Sequence, residues 1–527
     1  VNIMAGTEYQ KTISDALSAS AEGGATDLIP TLAAQPTITA ASSGKTAVAL
    51  LSYFGRANYS LKNRYLLSAT LRADGSSMFA KQNRWGYFPS VSAAWILSDE
   101  DFMSNANLFN SLKLRTSLGQ TGNNSIDLFD ATGSYNVDNK YNGLPALYAD
   151  VMGNENLKWE TTTQFDLGID GEIWNRRISF SADYYNKVTD DLILSMTLPN
   201  TTGFGSVNIN TGSVRFYGVD LELHTRNIET RNFSWSTDFT YSYNMNKILK
   251  LPENGLPKNR MNGRIIGDGY DYIGGYAEGE RLGELWGYKV KGILETQEQA
   301  DNAYYDTRSL GFRYEDGLSI TGRKAVGDYE WVNREGSTFR PDGSIQIDDE
   351  DQFVLGYTIP HTTGGIGNTF TYKKLSLYIY MDYQIGSSMF NYQYGNFFKG
   401  TFAYNHNLHE DVMKSWTQPG DDTKFAKFFA NDADDGNRNY GRTLDVMVQK
   451  TDFLCLRDVT LSYDLALKSL ESLNIKRLSL YASGANLFYF TELIGLSPEN
   501  AVSTTNNSSY SPYPTSRRIS VGAKLTF

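Results

Sequence analysis

Residues 517–527 read Arg-Arg-Ile-Ser-Val-Gly-Ala-Lys-Leu-Thr-Phe, and this stretch decides the fold. Apolar residues occupy every second position from Ile519 to Phe527, and polar residues or glycine fill the positions between them. A period of two residues predicts a β-strand with one apolar and one polar face. A strand of a soluble sheet can show the same alternation. The rest of the chain therefore has to discriminate between a soluble and a membrane protein.

The alternation recurs in fourteen stretches, which predicts an all-β protein. Between positions 375 and 384, one face carries Leu375, Leu377, Ile379 and Met381, and the other carries Ser376, Tyr378, Tyr380, Asp382 and Gln384. Between positions 233 and 240, Asp238 lies on the polar side.

The connections between these stretches alternate in length. Short connections are expected at 61–63, 174–176, near Glu229, at 373–374 and at about 469–474. Long connections are expected at about 14–46, 120–160, 189–213, 246–360, 387–450 and 489–515. A bilayer that separates short periplasmic turns from long extracellular loops produces this sorting, whereas a soluble sandwich has no reason for it. The pattern therefore predicts a transmembrane antiparallel β-barrel.

The bulk composition agrees with a barrel and excludes other classes. The 527 residues contain no run of 18 apolar residues, and the mean hydropathy of −0.41 excludes a helical membrane span. Strands that face a wet barrel interior dilute hydropathy in this way. The formal net charge of −11 argues against a nucleic-acid partner.

Aromatic residues gather in two of the long connections. The candidate binding aromatics among them are Tyr276, Trp286, Tyr392, Tyr394, Phe397, Phe398 and Tyr404. These rings could stack on sugar rings or peptide side chains, pack against a lid protein, or attach the loops to the barrel rim. A large lectin-like sandwich could also have the 35 tyrosines of this chain.

Motifs for catalysis or metal binding are weak. Ser43-Gly-Lys-Thr46 resembles the end of a P-loop, but Thr39 stands where the first glycine should be. His406 and His409 lie near acidic residues without a second ligand cluster. The acidic runs at 348–351 and 432–437 do not match the calcium-loop order, so loosely bound calcium is the only metal considered. We expect no cofactor, no metal site and no enzymatic activity.

Several longer motifs closely resemble the SusC/RagA family of TonB-dependent outer-membrane transporters. The most specific are Arg64-Tyr-Leu-Leu-Ser-Ala-Thr-Leu-Arg-Ala-Asp-Gly-Ser-Ser77, Arg84-Trp-Gly-Tyr-Phe-Pro-Ser-Val-Ser-Ala-Ala-Trp95, Leu157-Lys-Trp-Glu160 and Phe453-Leu-Cys-Leu-Arg-Asp-Val-Thr-Leu-Ser-Tyr463. The resemblance implies a 22-stranded barrel with an N-terminal plug, a TonB-contacting segment and a SusD-like lipoprotein lid. About fourteen strands fall in this chain. Because the sequence from Val1 resembles the middle of a strand, we expect the plug and the first strands to lie upstream of this sequence.

The resulting hypothesis is TonB-dependent import of a bulky oligosaccharide, or else a peptide, across the outer membrane. Candidate residues along the substrate path are Asp238, Tyr378, Tyr380, Asp382 and Gln384. The expected partners are a SusD-like lipoprotein, the TonB complex, the substrate and membrane lipid, with no nucleic acid. The alternative is an outer-membrane adhesin, or a secretion or pore barrel, that binds a partner through its long loops.

Overall fold

The computed structural model describes most of the chain. The described residues are 1–106, 108–261, 264–266, 271–273, 275–306, 313–315, 318–320, 324–334, 345–347, 351–391, 394, 407–428, 439–440, 443–465, 477–495, 497–501 and 515–526.

One large antiparallel sheet contains fourteen strands, as the sequence predicts. Its strands are β1 (Asn2–Glu22), β2 (Thr37–Leu61), β3 (Tyr65–Ser76), β4 (Trp85–Ile96), β5 (Phe109–Asn123), β6 (Glu160–Ile173), β7 (Ile178–Thr197), β8 (Ser206–Glu229), β9 (Phe233–Lys250), β10 (Thr362–Tyr372), β11 (Leu375–Ile385), β12 (Phe453–Leu465), β13 (Arg477–Thr491) and β14 (Arg518–Thr526). Each strand pairs with the next one along the chain, so the order in the sheet is β1 to β14 without crossovers. All fourteen predicted stretches become strands of this sheet.

The register places the alternating residues on two distinct faces. Val521 lies opposite Ala482, and Ala482 lies opposite Leu461. Leu461 in turn lies opposite Leu377. We call the side of the sheet that carries this row the apolar face and the other side the polar face. Val521 is 82% exposed, as expected for a side chain that faces lipid.

The predicted bounds of the connection at 14–46 are wrong, because the connection is shorter than expected. β1 continues to Glu22 and β2 begins at Thr37, so only 23–36 separates the two strands. β7, β8, β9 and β13 also extend into the expected loops. Beyond a bilayer both faces of a strand contact water, so the strand keeps its backbone hydrogen bonds but its period-two signal weakens.

Smaller elements fill the long connections. A hairpin of Ser134–Tyr141 and Leu144–Val151 lies between β5 and β6. Between β9 and β10 lie α1 (Gln297–Asp301) and the short strands Arg264–Ile266, Asp271–Ile273, Glu284–Tyr288, Val290–Ile293, Tyr305–Asp306, Arg313–Glu315, Leu318–Ile320, Tyr329–Trp331, Gln346–Ile347 and Gln352–Tyr357. Between β11 and β12 lie the strands Ser388–Phe390 and Val448–Lys450 and the 3₁₀ turns Glu410–Lys414 and Asp445–Met447. The other 3₁₀ turns are Leu32–Ala34, Leu97–Asp99, Asp101–Met103, Asn200–Thr202, Pro257–Asn259 and Pro498–Ala501. No helix among the described residues is long and apolar enough to span a membrane.

The chain divides into two compact units. Unit 1 comprises Val1–Leu97, Leu114–Leu167 and Lys187–Ser213. Its small core contains Phe79, Phe88, Leu157 and Trp159. The indole Nε1 of Trp159 donates a hydrogen bond to the carbonyl oxygen of Arg84 over 3.0 Å. A Cβ on Gly122 would lie 1.9 Å from the Phe88 ring, so only glycine fits beside this core.

Unit 2 comprises Ser98–Lys113, Gly168–Asn186 and Val214–Phe527. The connections 251–361 and 386–452 build one shared core, which we call the loop core. Its buried members are Tyr288, Tyr329, Trp331, Ile347, Phe390, Tyr394, Phe425, Ala426, Tyr440, Leu444 and Met447. Backbone and side-chain hydrogen bonds join the two connections, including one of 2.8 Å from the Tyr288 amide to the Thr443 carbonyl.

Candidate functional site

Four of the five candidate path residues are brought together on the polar face of β9 and β11. Asp238 lies opposite Gly367 of β10, and Gly367 lies opposite Tyr380. The rings of Tyr378 and Tyr380 are stacked, with centroids 6.5 Å apart and planes within 5° of parallel. Asp382 follows on the same face. The alternation in the sequence was therefore sufficient to place these four side chains on one surface.

Glycines in β10 allow the tyrosine rings to lie against the sheet. A Cβ on Gly365 would lie 2.5 Å from the Tyr380 hydroxyl oxygen, and a Cβ on Gly367 would lie 3.4 Å from the Tyr378 hydroxyl oxygen. A side chain at position 365 would occupy the space that the Tyr380 ring takes. The two glycines thus create a shallow shelf against which the two aromatic rings pack.

Asp382 belongs to an ion-pair network centred on Arg457. Arg457 Nε donates to Asp382 Oδ1 over 2.8 Å, and Nη2 donates to Oδ2 over 2.7 Å. Arg457 Nη1 donates to Asn486 Oδ1 over 2.8 Å, and Nη2 also pairs with Glu499. The Tyr489 hydroxyl donates to Glu499 over 2.6 Å. The network therefore joins β11, β12 and β13 to the connection that follows β13.

A β-bulge makes this network possible. The registers of β12 with β11 and with β13 both shift at Arg457. The extra residue brings the side chains of Arg457 and Asp458 to the polar face. Neither Arg457 nor Glu499 was among the site residues predicted from the sequence. The signal for Arg457 was present, because two successive charged residues, Arg457 and Asp458, interrupt an otherwise alternating strand.

A second polar feature lies on the same face of β8 and β9. His224 Nδ1 lies 2.6 Å from Asp238 Oδ1, and Lys113 Nζ lies 3.1 Å from Asp170 Oδ2. These four side chains and Glu222 line a cavity of about 500 Å³. With Glu172, which also lines the cavity, four carboxylates and one lysine give it an acidic surface with a single permanent cation. His224 was not among the site residues predicted from the sequence.

Gln384 lies apart from the other path residues, near the end of β11. Its Nε2 donates to the Ser387 hydroxyl over 3.0 Å. This bond orients the amide along the strand where β11 enters the long connection 386–452.

The candidate loop aromatics that the structure describes mainly contact other residues of the loops. Tyr394 is 4% exposed within the loop core, and its hydroxyl donates to Asp411 Oδ2 over 2.5 Å. Trp286 is half-buried, with Nε1 donating to Glu284 over 3.1 Å and the guanidinium of Arg260 5.6 Å from its ring. Tyr276 is half-buried and pairs through its backbone with Met261. Four candidates lie outside the described residues: Tyr392, Phe397, Phe398 and Tyr404.

Burial and hydrogen bonds shift the pKa values of titratable groups in and around the loop core. Burial raises the pKa of Tyr329 to about 12. Hydrogen bonds from Lys414 and Tyr394 hold the pKa of Asp411 below its usual range. Burial raises the pKa of Glu284. These shifts stabilise neutral tyrosines and an ionised Asp411 at neutral pH.

Metal-binding arrangements are not found in the part of the chain that the structure describes. No group of three or more His, Cys, Asp or Glu side chains there is placed to hold an ion. The acidic run at 432–437 and most of 348–351 lie outside the described residues, so bound calcium in those runs stays a prediction.

A family model decides the identity of the fold. The model for the β-barrel of TonB-dependent receptor-like proteins matches residues 1–323. The chain belongs to the TonB-dependent receptor family. This is a family of outer-membrane β-barrels, and its members are receptors and transporters rather than enzymes. The TonB-dependent receptor chain is thereby placed in the outer membrane, and the predicted barrel is confirmed.

Individual relatives confirm the SusC/RagA resemblance of this TonB-dependent receptor. It is 31% identical to TonB-dependent receptor P39 of Formosa agariphila, over 92% of this chain and 46% of that protein. It is 29% identical to TonB-dependent receptor SusC of Bacteroides thetaiotaomicron, over 91% of this chain and 44% of SusC. The chain thus spans about half the length of the curated relatives it matches. Among solved structures, this chain is similar to the RagAB peptide transporter, with a TM-score of 0.79 and 23% sequence identity. The match covers all of this chain and 53% of the RagAB chain.

Proposed function

We propose that the chain forms the C-terminal part of the barrel of a TonB-dependent importer. The observation that carries this proposal is the continuous polar surface of unit 2, from the His224 and Asp238 pair across the tyrosine shelf to the Arg457 network. In a barrel of this family the polar face lines the interior. A large hydrophilic solute that crosses the membrane would meet this surface. Plug and TonB-contacting segments in the rest of the protein would supply gating and energy.

The proposed cargo is a bulky oligosaccharide or a peptide. Parallel tyrosine rings on the polar face can stack on sugar rings or contact peptide side chains. The acidic cavity beside His224 offers acceptors to hydroxyl and ammonium groups alike. RagAB is a peptide transporter, and this supports the peptide alternative by analogy of fold alone.

The proposed partner at the cell surface is a SusD-like lipoprotein lid. The loop core gives the long connections a fixed shape, with large aromatic residues buried inside it. A rigid platform of this kind can dock a second protein with little loss of conformational entropy. The lid and the loops would enclose the cargo before it reaches the polar face.

The proposal is tested by uptake through the full-length receptor in a host that lacks its own copy. Growth on defined oligosaccharides or peptides as the sole nutrient should require both the receptor and TonB. Replacement of Tyr378 and Tyr380 by alanine should reduce this growth. Replacement of Tyr372, an exposed tyrosine on the apolar face, should not. Intact-mass analysis of the receptor complex in mild detergent should reveal the lipoprotein.

The same experiment separates the alternative functions. Passage of solute without TonB would establish a pore or secretion barrel. Binding of a partner by the loops without any TonB-dependent growth would establish an adhesin. Either result would refute the importer.

A further inference from the structure

A strip of polar side chains interrupts the apolar face near the turns that join β8 to β9 and β10 to β11. Asn227 Nδ2 donates to Thr237 Oγ1 over 2.7 Å, and Thr237 Oγ1 donates to Asn368 Oδ1 over 2.7 Å. Thr225 Oγ1 donates to Asn227 Oδ1, and Trp235 Nε1 donates to Asn368 Oδ1. We call these five residues the polar strip. Thr237 and Asn368 lie opposite each other, in register with the apolar pair Phe239 and Ile366.

Polar side chains on a surface that faces hydrocarbon are energetically unfavourable. The members of the polar strip satisfy much of one another's hydrogen-bonding capacity. However, both hydrogen bonds of the Asn368 side chain, from Trp235 and from Thr237, are accepted by Oδ1. The two Nδ2 protons of Asn368 therefore have no acceptor among the described residues. A donor left unpaired in lipid costs free energy. An acceptor from outside the chain would remove that cost.

The depth of the strip is set by strand geometry. Thr237 lies four residues from the start of β9, and Asn368 lies four residues from the end of β10. At about 3.3 Å per residue and a strand tilt of about 40°, this places them about 10 Å from the turns along the membrane normal. The stacked rings of Trp235, itself a member of the strip, and Phe370 lie between the Thr237–Asn368 pair and the turns. The strip thus lies just beyond the aromatic girdle, where the ester groups of a phospholipid meet its acyl chains.

The turns below the strip are strongly basic. Residues 174–177, 226–232 and 373–374 contain one carboxylate, Glu229, and six cations, namely Arg176, Arg177, Arg226, Arg231, Lys373 and Lys374. All of these cations are exposed. This concentration of positive charge is opposite in sign to the chain, whose formal net charge is −11.

Hydrogen bonds to backbone carbonyls join these turns into one surface. Arg177 Nη2 donates to the Asn227 carbonyl over 2.6 Å, and the Lys373 amide donates to the Asn232 carbonyl over 2.8 Å. Lys373 Nζ lies 5.4 Å from the centre of the Tyr372 ring, on the apolar face, so one cation is held at the lipid boundary.

We propose that the basic turns and the polar strip together bind an anionic glycerophospholipid of the inner leaflet. Arg231, Lys373 and Lys374 pair with the headgroup phosphate. Asn368 Nδ2 donates to an ester carbonyl. The acyl chains lie on Phe239, Leu221 and Leu223. This assignment rests on the outer-membrane location of the barrel and is independent of import.

Charge complementarity favours lipid over a second copy of the chain. A two-fold symmetric dimer would use the same patch on both subunits. It would therefore bring two sets of exposed cations together, and this like-charge contact is unfavourable. An anionic headgroup instead neutralises them, at about 1 kcal/mol for each basic residue near the surface, which corresponds to about fivefold in binding.

The test uses the full-length receptor in nanodiscs of phosphatidylethanolamine, with or without phosphatidylglycerol. Native mass spectrometry after mild detergent treatment counts the lipids that each protein retains. The first variant combines Arg231→Gln, Lys373→Asn and Lys374→Gln. Asparagine is chosen at position 373 because the backbone there has a φ of 56°, which asparagine tolerates well. The second variant is Asn368→Leu. The control, Lys247→Gln with Lys250→Gln, removes exposed cations from the other end of β9.

The wild type should retain phosphatidylglycerol in preference to phosphatidylethanolamine. The triple variant should lose this preference, with about fivefold weaker retention for each charge removed, whereas the control should keep it. Asn368→Leu should weaken retention of both lipids. Equal retention of the two lipids by the wild type would overturn the proposal, without reliance on any variant. A receptor dimer that dissociates on Asn368→Leu while lipid retention is unchanged would also overturn it, because the strip would then be a protein interface.

Discussion

Arg457 and Asp382 form a bidentate ion pair across two neighbouring strands, with nitrogen-to-oxygen distances of 2.8 and 2.7 Å. The same guanidinium also holds Glu499, which lies in the connection after β13. A planar fork with five donors can satisfy several acceptors at once, and a lysine ammonium cannot do so with the same geometry. The pair therefore fastens a long connection to the polar wall of the sheet.

Arg457→Lys should release that connection while the strands stay paired. We expect faster hydrogen exchange at Pro498–Ala501, where the wild type is held by the Arg457 contact to Glu499. The matched control is Arg477→Lys, because Arg477 pairs with Asp464 but is 62% exposed at its side chain. An exposed pair contributes little, so the control should leave exchange in this segment unchanged. Equal effects of the two substitutions would mean that the Arg457 geometry is not what fastens the connection.

Gly365→Val should displace the Tyr380 ring. The new Cβ would lie 2.5 Å from the tyrosine hydroxyl oxygen, so the ring must leave the shelf. We expect normal barrel assembly and about fivefold weaker apparent affinity for cargo, which corresponds to the loss of one aromatic contact. Gly44→Val serves as the control, because nothing lies within 4 Å of a Cβ at that strand position. Unchanged uptake by Gly365→Val would show that cargo does not use the shelf.

Val521→Arg should impair insertion of the barrel. Val521 is 82% exposed on the apolar face, and an arginine near the bilayer midplane costs about 2–4 kcal/mol. Ser520→Arg changes the adjacent residue, which lies on the polar face opposite Ser483, and should assemble normally. The heat-modifiable band on gel electrophoresis measures the folded fraction of each. Equal folding of both variants would contradict the assignment of the two faces.

Acid should loosen the segment Glu410–Lys414 of the loop core. The pKa of Asp411 is lowered in the folded protein, chiefly by the hydrogen bond from Lys414 and then by that from Tyr394. A lowered pKa contributes stability that is complete above the ordinary carboxyl pKa of about 4 and is lost as the pH falls through the folded value. Hydrogen exchange, corrected for its intrinsic pH dependence, should therefore rise in this segment below about pH 4. Asp411→Asn should remove the pH dependence, and its persistence in that variant would assign the effect to another group.

The sequence was sufficient to predict which segments form strands and which face of the sheet each side chain lies on. The reason is that the bilayer imposes a period of two on every strand it surrounds. Asp238, Tyr378, Tyr380 and Asp382 were placed on one surface by counting alone. The bounds of β1 and β2 were not predicted, because alanine, serine and glycine fill about half of their outer parts and give only a weak periodic signal. Arg457 was missed because a bulge changed its face. The contact of Glu499 with Arg457 joins residues 42 positions apart, and no local pattern encodes such a contact.

The loop core also has an evolutionary consequence. Tyr288 from one connection and Leu444 and Met447 from the other are fully buried in the same core. A change of binding specificity by exchange of one connection alone would expose these residues and leave the remaining partner without its packing. The two connections are therefore expected to be inherited as a pair. Chimeric receptors with new specificities should be built by transplanting both segments together.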